Sequence, residues 1–236
     1  MPIIFENDVD KVRLANCIEF AEAVHSKIMD RRASIYGRMP TGCVAEMRAL
    51  IPLHCLSVCF DHLQSSIDAV KRSNANTPGA LLRCTLEAYC RGVWLFYVKD
   101  EQLLQNFEDS KDTKDPERLI RELRGAGAPS ELCDGVSVGY MNSKKALNSL
   151  VHNGFESIHW QADYVGADVG TVSDILCFLI HMCLEALAAM VFAAQLDSRD
   201  EELAAEIIDW KNAVSKVSRL MTIGKWEVRS PESLRS

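Results

Sequence analysis

The sequence contains few of the residues that break helices. Its 12 glycines and 7 prolines make up about 8% of the 236 residues, against roughly 12% in an average protein. No run alternates between apolar and polar residues long enough to indicate a sheet. Both absences favour a helical protein. They also exclude collagen-like and low-complexity classes.

Familiar catalytic and cofactor-binding signatures are also absent. The sequence has no glycine-rich phosphate loop, no dinucleotide fingerprint and no His-Glu-x-x-His motif. We therefore expect no cofactor. The familiar nucleotide hydrolases and cofactor-dependent oxidoreductases are disfavoured.

Positive charge is in deficit. The 26 lysines and arginines against 33 acidic residues give a net charge of −7. A broad cationic surface for nonspecific nucleic-acid binding is therefore disfavoured. A local basic groove remains open, because such a site needs only a few arginines.

Cysteine usage and the first residues bear on the cellular compartment. The nine cysteines are odd in number and lie mostly in apolar helical stretches, whereas disulfide scaffolds are small and rich in loops. The start of the chain is too short and too acidic for a signal peptide. We expect reduced core thiols, including Cys17 and Cys59, in a cytoplasmic protein.

One segment is apolar enough to raise the question of a membrane span. It runs from Ile175 to Leu196, but it contains His181 and Glu185 near its middle. Ionisable groups are costly at that depth in lipid. We therefore interpret it as the central helix of a soluble bundle and expect no membrane association.

Apolar residues at three- and four-residue steps predict a series of helices. The long ones are expected at 8–37, about 41–73, 79–99, 171–196 and 198–221, and shorter ones at 100–110, 115–125 and 142–152. Pro52 is expected to kink or restart the second helix. Thr77 is expected to cap the third helix, with Pro78 at its first position. Residues 155–170 are irregular and could hold a loop or a short extended piece.

These helices define the fold class. We predict an all-α bundle of four or five long helices, forming a single domain over 1–228 with a polar helical insertion at about 100–140. Residues 229–236 are predicted to form a disordered tail.

The third helix carries the first candidate site. Arg83, Glu87 and Arg91 recur every four residues and so share one helix face. One interpretation is a structural ion ladder that fixes the register of the helix. The other is the polar wall of a pocket, where the guanidinium groups hold a phosphate or carboxylate of a substrate. Gly92 is expected to permit a close approach of a neighbouring helix.

A second candidate site lies at the end of the helix 142–152. Asn148 and His152 are four residues apart and share a face, and Lys145 lies two turns before His152 on that face. His152 could simply cap the helix C-terminus, where the helix dipole favours a cation. The alternative is a catalytic role.

Three further patterns point to other chemistries but lack their usual context. Cys55, Cys59 and His62 share a helix face but lack the paired spacing of zinc sites. Ser137 lies in a Gly-x-Ser-x-Gly motif without the parallel sheet that this motif needs. Glu22 with His25, and Glu156 with His159, match helical di-metal pairs, although the second pair falls in the irregular stretch. We expect no metal site from these residues.

The two candidate segments together resemble uncharacterised bacterial helical proteins related to the HEPN superfamily. The resemblance rests on the Arg-x-x-x-Glu helix at 80–98 and on the helix ending in His-x-Gly at 142–156. The pattern of that superfamily has an arginine separated from the histidine by four to six intervening residues. Here Lys145 stands at the longest of these spacings.

The resemblance implies a function and a set of site residues. HEPN proteins are helical bundles, often dimeric, and many are metal-independent RNases of toxin–antitoxin and phage-defence systems. It implies His152, Asn148 and Lys145 as catalytic residues, and Arg83, Glu87 and Arg91 as substrate-binding residues. A homodimer, an RNA substrate and a protein partner are implied as partners. The alternative is a non-catalytic helical interaction or regulatory subunit in such a system.

Overall fold

The computed structural model describes residues 3–5, 8–37, 44–97, 115–128, 167–193 and 205–214, together with residues 102, 105 and 133. Nearly all of these residues are helical, so the predicted all-α class is confirmed. The predicted tail at 229–236 lies outside the described residues. The predicted extent of the domain, 1–228, stays a prediction.

The first long helix, α1, spans Asp8–Gly37, as predicted. Its core face is made by small and branched apolar residues at helical spacing: Leu14, Cys17, Ala21, Val24, Ile28 and Ile35. This face packs against the second helix and against the apolar helix near the C-terminal end of the described chain.

The second helix, α2, spans Val44–Lys71 and packs against α1, the third helix and the apolar helix near the C-terminal end of the described chain. Pro52 lies inside this helix and is buried. The helix continues through it, so the expected restart does not occur. After α2 the chain turns at Ser73, whose φ of 57° is the left-handed conformation that tight turns use.

The third helix, α3, spans Asn76–Tyr97. It begins three residues before the predicted start at Gly79, so the expectation that Thr77 caps it is wrong. The side chain of Asn74 takes that part, because its Oδ1 accepts a hydrogen bond of 3.0 Å from the backbone N–H of Asn76. Pro78 lies in the first turn, where its missing N–H costs nothing.

Gly92 lies where α3 crosses α2 and allows the close approach predicted for it. A Cβ at this position would lie 2.6 Å from Cγ of Leu56 and 3.2 Å from the backbone nitrogen of Leu56. The two helix backbones therefore approach at Gly92 with no space for a side chain.

A short amphipathic helix, α4, spans Pro116–Gly125, as predicted. Asp115 caps it by accepting a 2.8 Å hydrogen bond from the backbone N–H of Arg118. Its apolar face, which includes Leu119, Ile120 and Leu123, is buried, and the helix packs against α3.

The most apolar helix, α5, spans Val169–Ala193 and contacts α1, α2 and α3. Among the described residues it is the one helix long and apolar enough to cross a membrane. More than half of its apolar stretch is buried against the other helices. It begins two residues before the predicted start at Thr171.

A pair of two-residue strands precedes α1 and α5. β1 (Ile3–Ile4) pairs in parallel with β2 (Ala167–Asp168), so that Ile3 lies opposite Ala167. The extended piece at β2 falls in the stretch left open by the sequence. β1 was not predicted.

Residues 205–214 form the described part of a last helix, α6, inside the predicted range 198–221. Glu206 contacts Arg31 of α1, with its Oε2 2.7 Å from Nη2. Lys211 contacts Glu185 of α5 at 2.6 Å. These contacts hold α6 against both helices.

The cysteines in the described helices are free and largely internal, as predicted. Cys17, Cys59, Cys90, Cys133, Cys177 and Cys183 are buried, and Cys55 and Cys84 are half-buried. The thiol of Cys183 donates to the carbonyl oxygen of Cys59 at 3.2 Å, so it serves as a core hydrogen-bond donor. Cys43 lies outside the described residues.

Candidate functional site

The middle of α3 brings Arg83, Glu87 and Arg91 together, as their spacing predicts. Nε of Arg83 lies 2.8 Å from Oε1 of Glu87, and Nη2 of Arg91 lies 3.5 Å from Oε2. Each guanidinium thus contacts a different oxygen of the same carboxylate. The predicted ion ladder therefore exists.

The exposure of these side chains decides what the ladder can do. The side chains of Arg83 and Glu87 are 19% and 20% exposed, and that of Arg91 is 36% exposed. The ladder lies at the edge of the core, within reach of solvent. Its two arginines and one glutamate leave one positive charge in excess, and the longer contact belongs to the more exposed arginine.

The apolar residues beside the ladder anchor α3 in the bundle. Leu86, Tyr89 and Val93 are buried, and Leu82 is partly buried. These four residues recur at three- and four-residue steps and so form one stripe along the helix. This stripe fixes the rotation of α3 and so keeps the Arg83–Glu87–Arg91 face at the boundary with solvent.

Two thiols lie close enough to the ladder to feel its charges. Burial raises the pKa of the Cys55 thiol on α2, and the positive charge of Arg91 opposes this rise. Burial and the negative charge of Glu87 raise the pKa of the Cys84 thiol, and the positive charge of Arg83 opposes this rise. Both thiols therefore stay protonated at neutral pH. The two thiols therefore add no charge to the face formed by Arg83, Glu87 and Arg91.

A further polar contact, which the sequence did not reveal, joins α3 to α4. Nε1 of Trp94 donates a 2.8 Å hydrogen bond to Oε2 of Glu122, and Nε of Arg118 donates to Oε1 at 3.1 Å. The spacing of Arg118 and Glu122 signals their mutual pair. Nothing local signals Trp94 as the third member, because it lies 28 residues away.

The residues considered for zinc have separate partners in the structure. The Cys59 thiol is buried and donates to the carbonyl oxygen of Thr85 at 3.5 Å. Nδ1 of His62 lies 3.1 Å from Oγ1 of Thr85. Since that hydroxyl donates its proton to the carbonyl oxygen of Leu81 at 2.8 Å, His62 is the donor. Among the described residues no group of three or more His, Cys, Asp and Glu side chains is placed to hold a metal ion.

A second polar cluster joins the end of α1 to α2. The hydroxyl of Tyr36 lies 3.1 Å from Oγ of Ser57 and 3.4 Å from Nδ1 of His54. The guanidinium of Arg32 lies over the Tyr36 ring, 5.8 Å from its centroid. Sequence spacing relates His54 to Ser57 but gives no sign of Tyr36, which arrives from another helix.

Several predicted site residues lie outside the described residues. They are Lys145, Asn148 and His152, as well as Ser137, Glu156 and His159. Of the described di-metal candidates, Glu22 forms an ion pair with Lys71. His25 hydrogen-bonds to the backbone of Phe60. Both contacts bind α1 to α2.

Comparison with known proteins assigns most of the chain to a family. Residues 56–215 match the model of a family of unknown function, DUF6988. The matched segment contains α3, α4 and α5 in full, and hence the Arg83–Glu87–Arg91 face. No curated protein and no solved structure matches the chain.

Proposed function

We propose that this chain, which belongs to the family of unknown function DUF6988, is a HEPN-like helical effector of a bacterial stress or phage-defence system of the toxin–antitoxin type. In this proposal it cleaves RNA without a metal ion. The observation that carries the proposal is the partly exposed Arg83–Glu87–Arg91 face, which holds one more cation than anion on an otherwise acidic chain. Such a face suits an anionic substrate.

The proposed reaction uses the 2′-hydroxyl of the RNA as nucleophile. A base takes the proton of that hydroxyl, which attacks the adjacent phosphorus, and an acid protonates the departing 5′-oxygen. A histidine with an ordinary pKa near 6.5 serves in either part, and we assign this role to His152. In this proposal Lys145 and Asn148, which helical spacing predicts on the face of His152, are the other catalytic residues that the resemblance implies.

The arginines of α3 bind the substrate in this proposal. The crowded phosphorus carries extra negative charge, which cationic hydrogen-bond donors stabilise. Arg91 is suited to contact it, because its guanidinium is the more exposed and lies farther from Glu87 than that of Arg83. Glu87 holds both guanidinium groups in a fixed orientation.

The same proposal includes a cytoplasmic homodimer with no membrane association. A site shared across a two-fold axis brings two copies of His152 into one groove and supplies acid and base together. A protein partner that restrains the effector until a trigger arrives completes the toxin–antitoxin arrangement.

The ion pairs of Glu87 with Arg83 and Arg91 also favour a second function. Both arginines have Glu87 as an ion-pair partner, which is also what a structural ladder requires. In this alternative the chain is a non-catalytic helical interaction or regulatory subunit of such a system. Arg83, Glu87 and Arg91 then serve only to stabilise α3.

Induced expression in a bacterial host separates the two functions. Wild type, His152→Ala and His54→Ala are compared at equal soluble levels, by growth and by the integrity of total RNA. His54 is a matched control because it is an exposed histidine outside the proposed site. Cleavage requires wild type and His54→Ala to arrest growth with discrete RNA fragments, and His152→Ala to grow normally.

Two results would contradict the nuclease. One is arrest by His152→Ala with the same RNA fragments as wild type. The other is normal growth and intact RNA in all three strains, including during phage infection. The second result favours the interaction subunit.

A further inference from the structure

Net positive charge in the described helices is confined to two elements, when each helix is counted without its flanking residues. α3 carries two arginines and one glutamate, and α4 carries three arginines and two glutamates. α1 has equal numbers of acidic and basic residues, and α2, α5 and the described part of α6 are acidic. The two helices with net positive charge also pack against each other.

The arginines of α4 form a row on its outer face. Arg118, Arg121 and Arg124 follow one another at three-residue steps, and all three are exposed. Leu119, Ile120 and Leu123 occupy the opposite, buried face. The amphipathic packing of α4 therefore fixes which way the row points.

Glu122 connects this row to the face of α3. Both of its oxygens are engaged, one by the Trp94 indole at 2.8 Å and the other by Arg118 at 3.1 Å. Trp94 lies one helical turn after Arg91, and residues three apart are neighbours on a helix surface. These contacts tie the row on α4 to α3, the helix that carries Arg83, Glu87 and Arg91.

We infer that the arginine row of α4 is a docking surface for the RNA backbone. The inference rests on the proposed function and extends it, because it places the rest of the substrate strand beside the reacting phosphate. Arginine contacts phosphate oxygens through its planar fork of donors, and such contacts position nucleic acid without reading its sequence. An acidic chain needs a local surface of this kind to hold RNA, since its overall field repels phosphates.

The test measures binding of a fluorescent 20-nucleotide RNA whose 2′-hydroxyls are methylated, so that it cannot be cleaved. The double variant Arg121→Ala/Arg124→Ala removes two row members and leaves the Arg118–Glu122–Trp94 contacts intact. We expect its Kd at 0.1 M salt to rise on the order of tenfold, and the slope of log Kd against log salt to fall by about 1.4, since each lost contact removes about 0.7.

Two control variants separate this surface from general charge and from folding. Arg13→Ala/Arg72→Ala removes the same charge from exposed positions on α1 and after α2, and we expect a change below twofold. Arg121→Lys/Arg124→Lys keeps the charge and is expected to retain most of the affinity. The melting temperature of each variant is measured, and affinities are compared only for variants that melt at the wild-type temperature.

The outcomes distinguish the inference from the function beneath it. Equal affinity of wild type and Arg121→Ala/Arg124→Ala overturns the docking surface while RNA binding stands, and an acidic protein surface then becomes the alternative partner of α4. Equal weakening by the control pair also overturns it. No binding by wild type overturns the proposed function as well.

Discussion

Glu87 is the residue on which two arginines of α3 depend. Its carboxylate accepts from Arg83 at 2.8 Å and contacts Arg91 at 3.5 Å. Removing it takes away the carboxylate that both guanidinium groups contact within 3.5 Å on this partly buried helix face. The cost is set by how much water reaches them, because water replaces part of a lost ion pair.

We predict that Glu87→Ala lowers the free energy of unfolding by about 1–2 kcal/mol. A fully buried pair would cost about 3–5 kcal/mol, and the 19–36% exposure of these side chains reduces that figure. Denaturant unfolding measures the change. Glu19→Ala, an exposed glutamate on α1, is the control and should stay within about 0.5 kcal/mol of wild type. Equal stability of both variants would show that the ladder contributes nothing.

At the scale of the element, α2 and α3 meet through a glycine. Alanine stabilises a helix by about 1 kcal/mol relative to glycine, so Gly92→Ala would stabilise an isolated α3. In the bundle the new Cβ would meet Leu56 at 2.6 Å. Overpacking a well-filled core costs typically about 1–3 kcal/mol.

We therefore predict a net destabilisation of up to about 2 kcal/mol for Gly92→Ala, measured by denaturant unfolding. Gly125→Ala is the matched control, because it also lies in a helix and a Cβ there would meet nothing within 4 Å. It should be neutral or slightly stabilising. A gain in stability for Gly92→Ala would mean that α2 and α3 separate easily at this crossing.

The sequence predicts the features of this fold that depend on residues close together along the chain. The bounds of α1 and α4 and the shared face of Arg83, Glu87 and Arg91 follow from helical periodicity and caps, which are local signals. The start of α3 was placed too late, because Asn74 competes with Thr77 as a cap and both residue types suit that position. For Pro52 the sequence left a kink or a restart open, because its ring disfavours a helix interior, and the restart does not occur since α2 continues through this buried proline.

The missed features all join residues that are far apart along the chain. Trp94 with Glu122, Tyr36 with Ser57, and Ile3 with Ala167 have separations that no periodic pattern records. Each depends on which faces of two elements meet. A sequence supplies the chemical types of such residues but not their pairing.

In the part of the chain that the structure describes, net positive charge and the apolar centre lie on different helices. α3 and α4 hold the net positive charge of the described helices, while α5 supplies the apolar centre that α1, α2 and α3 surround. Three histidines lie at the edge of this packing, one on each of α1, α2 and α5, and the one on α5 is the most exposed. They are His25, His62 and His181. Burial lowers the pKa of all three below the ordinary value of 6.5.

These three histidines make stability depend on pH. A lowered pKa in the folded state means that the unfolded chain binds a proton more readily below about pH 6.5. The stability they contribute is therefore present above that pH and is lost as the pH falls towards their folded pKa. We predict a melting temperature at pH 5.5 several degrees below that at pH 7.5, with little change between pH 7.5 and 8.5.

Two variants assign this dependence to buried histidine. His62→Gln removes an imidazole that is held against Thr85 at 3.1 Å, so the difference in melting temperature between pH 7.5 and 5.5 should shrink. His54→Gln changes an exposed histidine on the same helix and should leave that difference as in wild type. A melting temperature that rises on acidification, or an equal response of both variants, would contradict the assignment, because burial in the fold disfavours the charged imidazole.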